Sequence, residues 1–137
     1  MHSPLTIGAL AAGVRSMLLG GRAAHHALGG AIRARWAPES YLLTDSGTSA
    51  LALGLGLARQ LGATPVALPA YGCFDIATAV DAAGVPFTLY DVDPITLAPS
   101  PESVRQAIER GARCLVAVHL YGVPVDIDAM QQLAGPG

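Results

Sequence analysis

The chain is 137 residues long, 52% hydrophobic and only 13% charged, with a formal net charge of −2. That is enough apolar material for one core, too little length for two ordinary domains, and the wrong composition for a disordered chain. Its basic residues are all arginines and lie scattered, which leaves no basic field for a nucleic-acid backbone.

The apolar run from Leu5 to Val14 is too short to cross a bilayer. It is followed rather than preceded by Arg15, the wrong polarity for a signal peptide, so no membrane association is expected. Residues 5–36 carry helical signals broken at Gly20-Gly21 and Gly29-Gly30, which predicts two short amphipathic helices or one helix and an arm. Arg15, Arg22, Arg33 and Arg35 mark solvated faces, and Trp36 reads as a packing residue. His25 and His26 are adjacent, point in different directions on a helix and lack a third ligand, so they do not make a metal site. Residues 1–40 are expected to form an N-terminal helical arm and residues 41–137 the main domain.

From Tyr41 onward the pattern becomes regular. A strand over 41–45 leads to a helix over 48–61, ended by Gly62; a strand over 65–68 leads through Pro69 to a helix over 73–83, ended by Gly84. A strand over 86–90 then passes through Asp91-Val92-Asp93-Pro94 to a helix over 101–110. A strand over 113–119 leads to a last helix over 126–134. Strands alternating with helices on short connections predict an α/β fold, a mostly parallel sheet with helices on both faces. Ligands of such sheets sit at the C-terminal ends of the strands. Ser46–Ser49, Tyr71–Phe74, Asp91–Asp93 and His119–Gly122 all fall there.

The most informative of these segments is Thr44-Asp45-Ser46-Gly47-Thr48-Ser49, where a strand breaks into small residues that open an alanine- and leucine-rich helix. The first N–H groups of a helix lack intrahelical partners and carry the positive end of the dipole; Gly47 leaves the approach open, and the Thr48 and Ser49 hydroxyls add donors. A phosphate seat is expected, with a plain helix N-cap as the simpler alternative. His119 reads as a hydrogen-bonded structural residue before a proton-transfer group. Asp91 and Asp93, followed by Pro94 and Thr96, read as a turn before a metal site. Asp126 and Asp128 suit the dipole of the last helix. Cys114 reads as a small hydrophobe in a buried strand. Cys73 and Cys114 lack metal-ligand spacing, and a reduced, cytoplasmic setting is expected. No Gly-x-Ser-x-Gly, Walker loop or helix-opening Gly-x-Gly-x-x-Gly occurs.

Taken in order, Thr44-Asp45-Ser46-Gly47-Thr48-Ser49-Ala50-Leu51, Pro69-Ala70-Tyr71-Gly72-Cys73, Ala83-Gly84-Val85-Pro86, Asp91-Val92-Asp93-Pro94-Ile95-Thr96-Leu97 and Val118-His119-Leu120-Tyr121-Gly122, ending in Asp126-Ile127-Asp128, resemble the DegT-type (DegT/DnrJ/StrS) sugar aminotransferases. These are fold type I pyridoxal-phosphate enzymes. The resemblance runs from about residue 40 to the last residue. It implies part of an aspartate-aminotransferase-like large domain, pyridoxal 5'-phosphate at the sheet's C-terminal edge, a homodimer, and transfer of an amino group from an amino-acid donor to a nucleotide-linked keto sugar. It places the cofactor phosphate at Gly47, Thr48 and Ser49 and the pyridine ring beside Tyr71, Cys73 and Phe74. Cys73 stands where the family often has a stacking aromatic.

The family's Glu-Asp strand end and its Schiff-base lysine have no counterpart in the chain, which contains no lysine at all. Those groups protonate the pyridine and shuttle the substrate proton, so transamination by these residues alone should be negligible. Ala134-Gly135-Pro136-Gly137 reads as an interruption before the next strand. The strands that would separate 41–45 from the others are also absent, which predicts exposed strand edges and poor solubility. The expectation is therefore the N-terminal part of a keto-sugar aminotransferase, inactive alone. The alternatives are a non-catalytic module binding a phosphorylated ligand or a partner, and the remnant of a decayed gene.

Overall fold

The computed structural model describes residues 6–19 and 21–135. The chain divides into two compact units, Met1–Leu42 and Leu43–Gly137. Leu5, Gly20, Pro136, Gly137 and the side chain of Arg22 lie outside what is described.

The first unit holds helices α1 (Ile7–Leu19) and α2 (Arg22–Trp36). The Gly29-Gly30 pair does not break α2 as the sequence suggests. Gly29 is buried, and a Cβ there would collide with the Tyr41 hydroxyl, so this glycine serves the close return of the chain across the helix. Arg33 lies over the Tyr41 ring, 5.3 Å from its centroid, adding a cation–π contact to that return. Arg15, Arg33 and Arg35 are solvated as expected. Trp36, expected to pack, is 70% exposed; it ends the helix just before Ala37, whose left-handed backbone (φ 44°) turns the chain away.

The second unit is a three-layer α/β arrangement. Its elements are α3 (Gly47–Gln60), β1 (Val66–Pro69), α4 (Phe74–Ala83), β2 (Phe87–Tyr90), α5 (Pro101–Glu109), β3 (Cys114–Leu115), a single 3-10 turn (Leu120–Gly122) and α6 (Ile127–Ala134). The strand order is β2-β1-β3, and both pairings are parallel, Val66 opposite Phe87 on one side and Cys114 on the other. Side chains alternate across a strand. Val66 and Leu68 therefore join Leu55 of α3 and Ala79, Val80 and Ala83 of α4 on one face. Ala67 joins Tyr90, Val104 and Ala107 of α5 and Met130 of α6 on the other. A central strand covered on both faces must be apolar throughout, and β1 is buried along its whole length.

The helix ends follow their sequence signals. Ser46, Ser100 and Asp126 accept backbone N–H bonds as N-caps of α3, α5 and α6, and Gly84 closes α4 in the left-handed region at φ 60°. Two of the expected strands differ. Residues 41–45 form no strand; strand backbone needs a ladder to join, and no described strand lies beside them. The strand expected over 113–119 is a strand only at Cys114–Leu115, with β1 on one edge and no strand among the described residues on the other. Among the described residues no helix is long and apolar enough to cross a membrane.

Candidate active site

Arg59, in the last turn of α3, donates a 2.9 Å hydrogen bond to the carbonyl of Ala83 at the end of α4. The two helices also pack against one another, so with their last turns adjacent they run in the same direction. Since α4 starts where β1 ends, both helix N-termini open at the C-terminal edge of the sheet. This brings Gly47–Ser49 and Tyr71–Phe74 toward one edge.

At the start of α3 the Ser46 hydroxyl accepts the Ser49 N–H at 3.1 Å and donates to the Ser49 hydroxyl at 3.0 Å. The Thr44 hydroxyl donates to the Ser46 carbonyl at 2.8 Å, bracing the turn. Ser49 thus spends its N–H on the cap. The N–H groups of Gly47 and Thr48 and the Thr48 hydroxyl find no partner among the described residues. A Cβ added to Gly47 would meet nothing within 4 Å, so the space above these donors is open. Asp45 stands beside them, its carboxyl held below the usual carboxylate range chiefly by the Ser49 hydroxyl. Donors suited to an anion and one opposing carboxylate therefore share this helix start.

Tyr71, Cys73 and Phe74 are exposed. Cys73 is the N-cap position of α4 without a side-chain cap bond; its thiol donates to Asp75 at 3.2 Å. Phe74 lines an apolar groove of about 450 Å³ with Ile76, Val80, Val85, Phe87 and Leu89, between α4 and β2. The Tyr71 hydroxyl lies 2.8 Å from that of Tyr121. Tyr121 was not singled out from the sequence beyond its place in a motif. The available signal was a second tyrosine at a neighbouring strand end.

The remaining polar residues take structural roles. His119 accepts the Val125 N–H on Nδ1 at 2.9 Å. Asp93 accepts the N–H groups of Thr96 and Ile95 at 2.7 and 2.9 Å and the Thr96 hydroxyl at 3.1 Å, which makes it a turn residue. Its carboxyl is lowered by those bonds, Thr96 first. Asp126 caps α6 through Ala129. The Cys114 thiol, half-buried against the α3–α4 core, is pushed up by burial, as suits a small hydrophobe. Among the described residues no His, Cys, Asp or Glu cluster could hold a metal.

A sequence model of the DegT/DnrJ/EryC1/StrS aminotransferase family matches residues 31–136. The chain belongs to this family. It is 30% identical over 68% of its length to dTDP-4-dehydro-2,3,6-trideoxy-D-glucose 4-aminotransferase of Saccharopolyspora spinosa, covering 24% of that protein. It is 34% identical over 68% of its length to 3-oxo-glucose-6-phosphate:glutamate aminotransferase of Bacillus subtilis (strain 168), covering 21% of it. Among solved structures it resembles the sugar aminotransferase CalS13 from Micromonospora echinospora with a TM-score of 0.56 and 31% identity, over 64% of this chain and 24% of that one. The chain thus spans about a quarter or less of the length of the relatives it matches. In this DegT-family chain the matched region contains the α3 start, the β1–α4 turn and the β3–α6 turn.

Proposed function

We propose that the chain supplies the phosphate seat and one ring-facing wall of a pyridoxal 5'-phosphate site in an aminotransferase acting on a keto sugar. The observation that carries this reading is the pair of helix starts at one sheet edge, with the Gly47 and Thr48 donors open in a chain of this family. Gly47 and Thr48 would hold the phosphate, with Ser49 joining when its hydroxyl turns from Ser46. Tyr71, Cys73 and Phe74 would stand beside the ring. Bound there, the cofactor supplies an electron sink that lets an amino group pass between an amino acid and a ketone. The part of these residues is to bind and orient: the α3 dipole and N–H groups fix the anion, and the β1–α4 turn limits where the ring can lie.

The chain contains no lysine, so attachment through a lysine within these 137 residues is impossible and binding should be reversible. The relatives' names include a glutamate donor and sugar substrates. A nucleotide-linked keto sugar, an amino-acid donor, a homodimer and a cytoplasmic setting are proposed on the same grounds, with residues 41–137 as the cofactor-binding part.

The test is a titration of the chain with pyridoxal phosphate followed by fluorescence quenching. Saturable binding, competed by inorganic phosphate and weakened about tenfold in Thr48→Ala, is the expected result. Asp45→Asn should tighten binding by removing the like charge beside the seat. A folded chain that binds neither ligand would overturn the reading.

A further inference from the structure

Tyr71 follows the end of β1, and Tyr121 follows the end of β3, the strand beside β1. Leu120 is buried and pins the turn, so its neighbour Tyr121 faces outward, 77% exposed. The turn is closed by the Gly122 N–H on the His119 carbonyl at 3.0 Å and the Val123 N–H on the Leu120 carbonyl at 2.9 Å. Within it Tyr121 sits at φ 53°, ψ 21°. That left-handed conformation is unfavourable for a non-glycine residue and persists only where its surroundings hold it. Here the turn places the Tyr121 hydroxyl 2.8 Å from that of Tyr71.

The three candidates for the ring-facing wall are not equivalent. Phe74 lines the groove shared with Phe87 and Leu89, on the β2 flank of α4. The opposite flank of α4 packs against α3, where Ala79 and Ala83 meet Leu55 and the Ala83 carbonyl takes the Arg59 bond. Phe74 is therefore on the flank away from the open donors of α3. Cys73 has its thiol engaged with Asp75. Tyr71 alone is tied toward β3, by a bond whose partner is itself fixed by a buried anchor.

We propose that Tyr121 is a positioning residue: through the hydroxyl–hydroxyl bond it holds the Tyr71 ring over the sheet edge, and this ring, rather than Cys73 or Phe74, is the aromatic surface for the cofactor's pyridine. The proposal rests on the cofactor reading above. A held ring loses less freedom on binding than a free one, so the gain appears in affinity. The aromatic surface that the family often has at the position of Cys73 is supplied from the preceding turn residue and braced from the next strand.

The test compares the full chain with Tyr121→Phe, Tyr71→Phe, Tyr71→Leu and Phe74→Leu. Each is titrated with pyridoxal phosphate and, separately, with inorganic phosphate, with circular dichroism confirming the fold. Tyr121→Phe and Tyr71→Phe each remove only a hydroxyl, and each should weaken pyridoxal phosphate about fivefold. The double variant should be no weaker than either single one, since one bond is lost in all three. Tyr71→Leu should weaken it further, and by more than Phe74→Leu does, while phosphate affinity stays level throughout. A loss confined to Phe74→Leu, an unaffected Tyr121→Phe, or an equal loss of inorganic phosphate would overturn the proposal and leave the phosphate seat standing. Failure of the unaltered chain to bind pyridoxal phosphate would overturn the cofactor reading and this one with it.

Discussion

β1 and β3 are parallel strands of one sheet, yet Val66, Ala67 and Leu68 are 0%, 1% and 3% exposed while Cys114 and Leu115 are only half-buried. Both segments are apolar. The difference is position: β1 has a strand along each edge and helices on each face, whereas β3 has β1 as its one neighbour among the described strands. Local composition thus says that a segment will be a strand, and its neighbours decide how much it contributes.

The widest separation between the two should appear in core truncations. Leu68→Ala is expected to cost about 2–4 kcal/mol, while Leu115→Ala, already half in solvent, should cost about 1. Denaturant unfolding of the two variants measures this, and equal costs would break the comparison.

Tyr90 sharpens it. Its ring is buried at the end of β2, and its hydroxyl donates to the Val116 carbonyl at 2.8 Å, tying the segment after β3 to the far strand. Tyr90→Phe should cost about 1 kcal/mol by leaving that carbonyl without its donor. Burial pushes the Tyr90 hydroxyl up to about 12, above the ordinary tyrosine value. The unfolded chain ionises first, so the stability held below about pH 10 should decline as pH rises toward 12. Tyr90→Phe should flatten that part of the pH profile.

A smaller contrast lies at the two helix starts on the sheet edge. Ser46 caps α3 through its side chain and Cys73 makes no such bond at α4. Ser46→Ala should cost about 1 kcal/mol, and Cys73→Ser should add a few tenths or more, both read from thermal melts. The least effect is expected at Asp93. Its carboxyl is lowered by the Thr96 and Ile95 N–H groups, so its contribution is present above the ordinary carboxylate range and lost as pH falls through its lowered value. The difference between the chain and Asp93→Ala should therefore shrink under acid.

Much of the second unit was readable from the chain. The expected helices over 48–61, 73–83, 101–110 and 126–134 correspond to α3, α4, α5 and α6 within two residues, because Ser46, Gly84, Ser100 and Asp126 mark their ends locally. The two strands beside α4 were equally legible, each a short apolar run between a glycine and a polar turn. Asp93 and His119 also took the structural roles expected of them.

What the chain left undetermined depended on partners distant in sequence. Residues 41–45 look like a strand but meet no ladder among the described residues, and the run over 113–119 forms a strand at only one end. The Gly29-Gly30 pair looks like a break, yet Gly29 lies inside α2 because Tyr41 crosses it. Cys73, Phe74 and Tyr71 are near neighbours that sequence could not rank; Tyr121, fifty residues beyond Tyr71, separates them by taking one hydroxyl in hand. Caps, turns and the α/β alternation were determined by the sequence itself, since they rest on bonds within a few residues. Edge position, burial and the direction of the aromatic side chains were decided by the tertiary structure alone, since each depends on which strand or helix packs alongside.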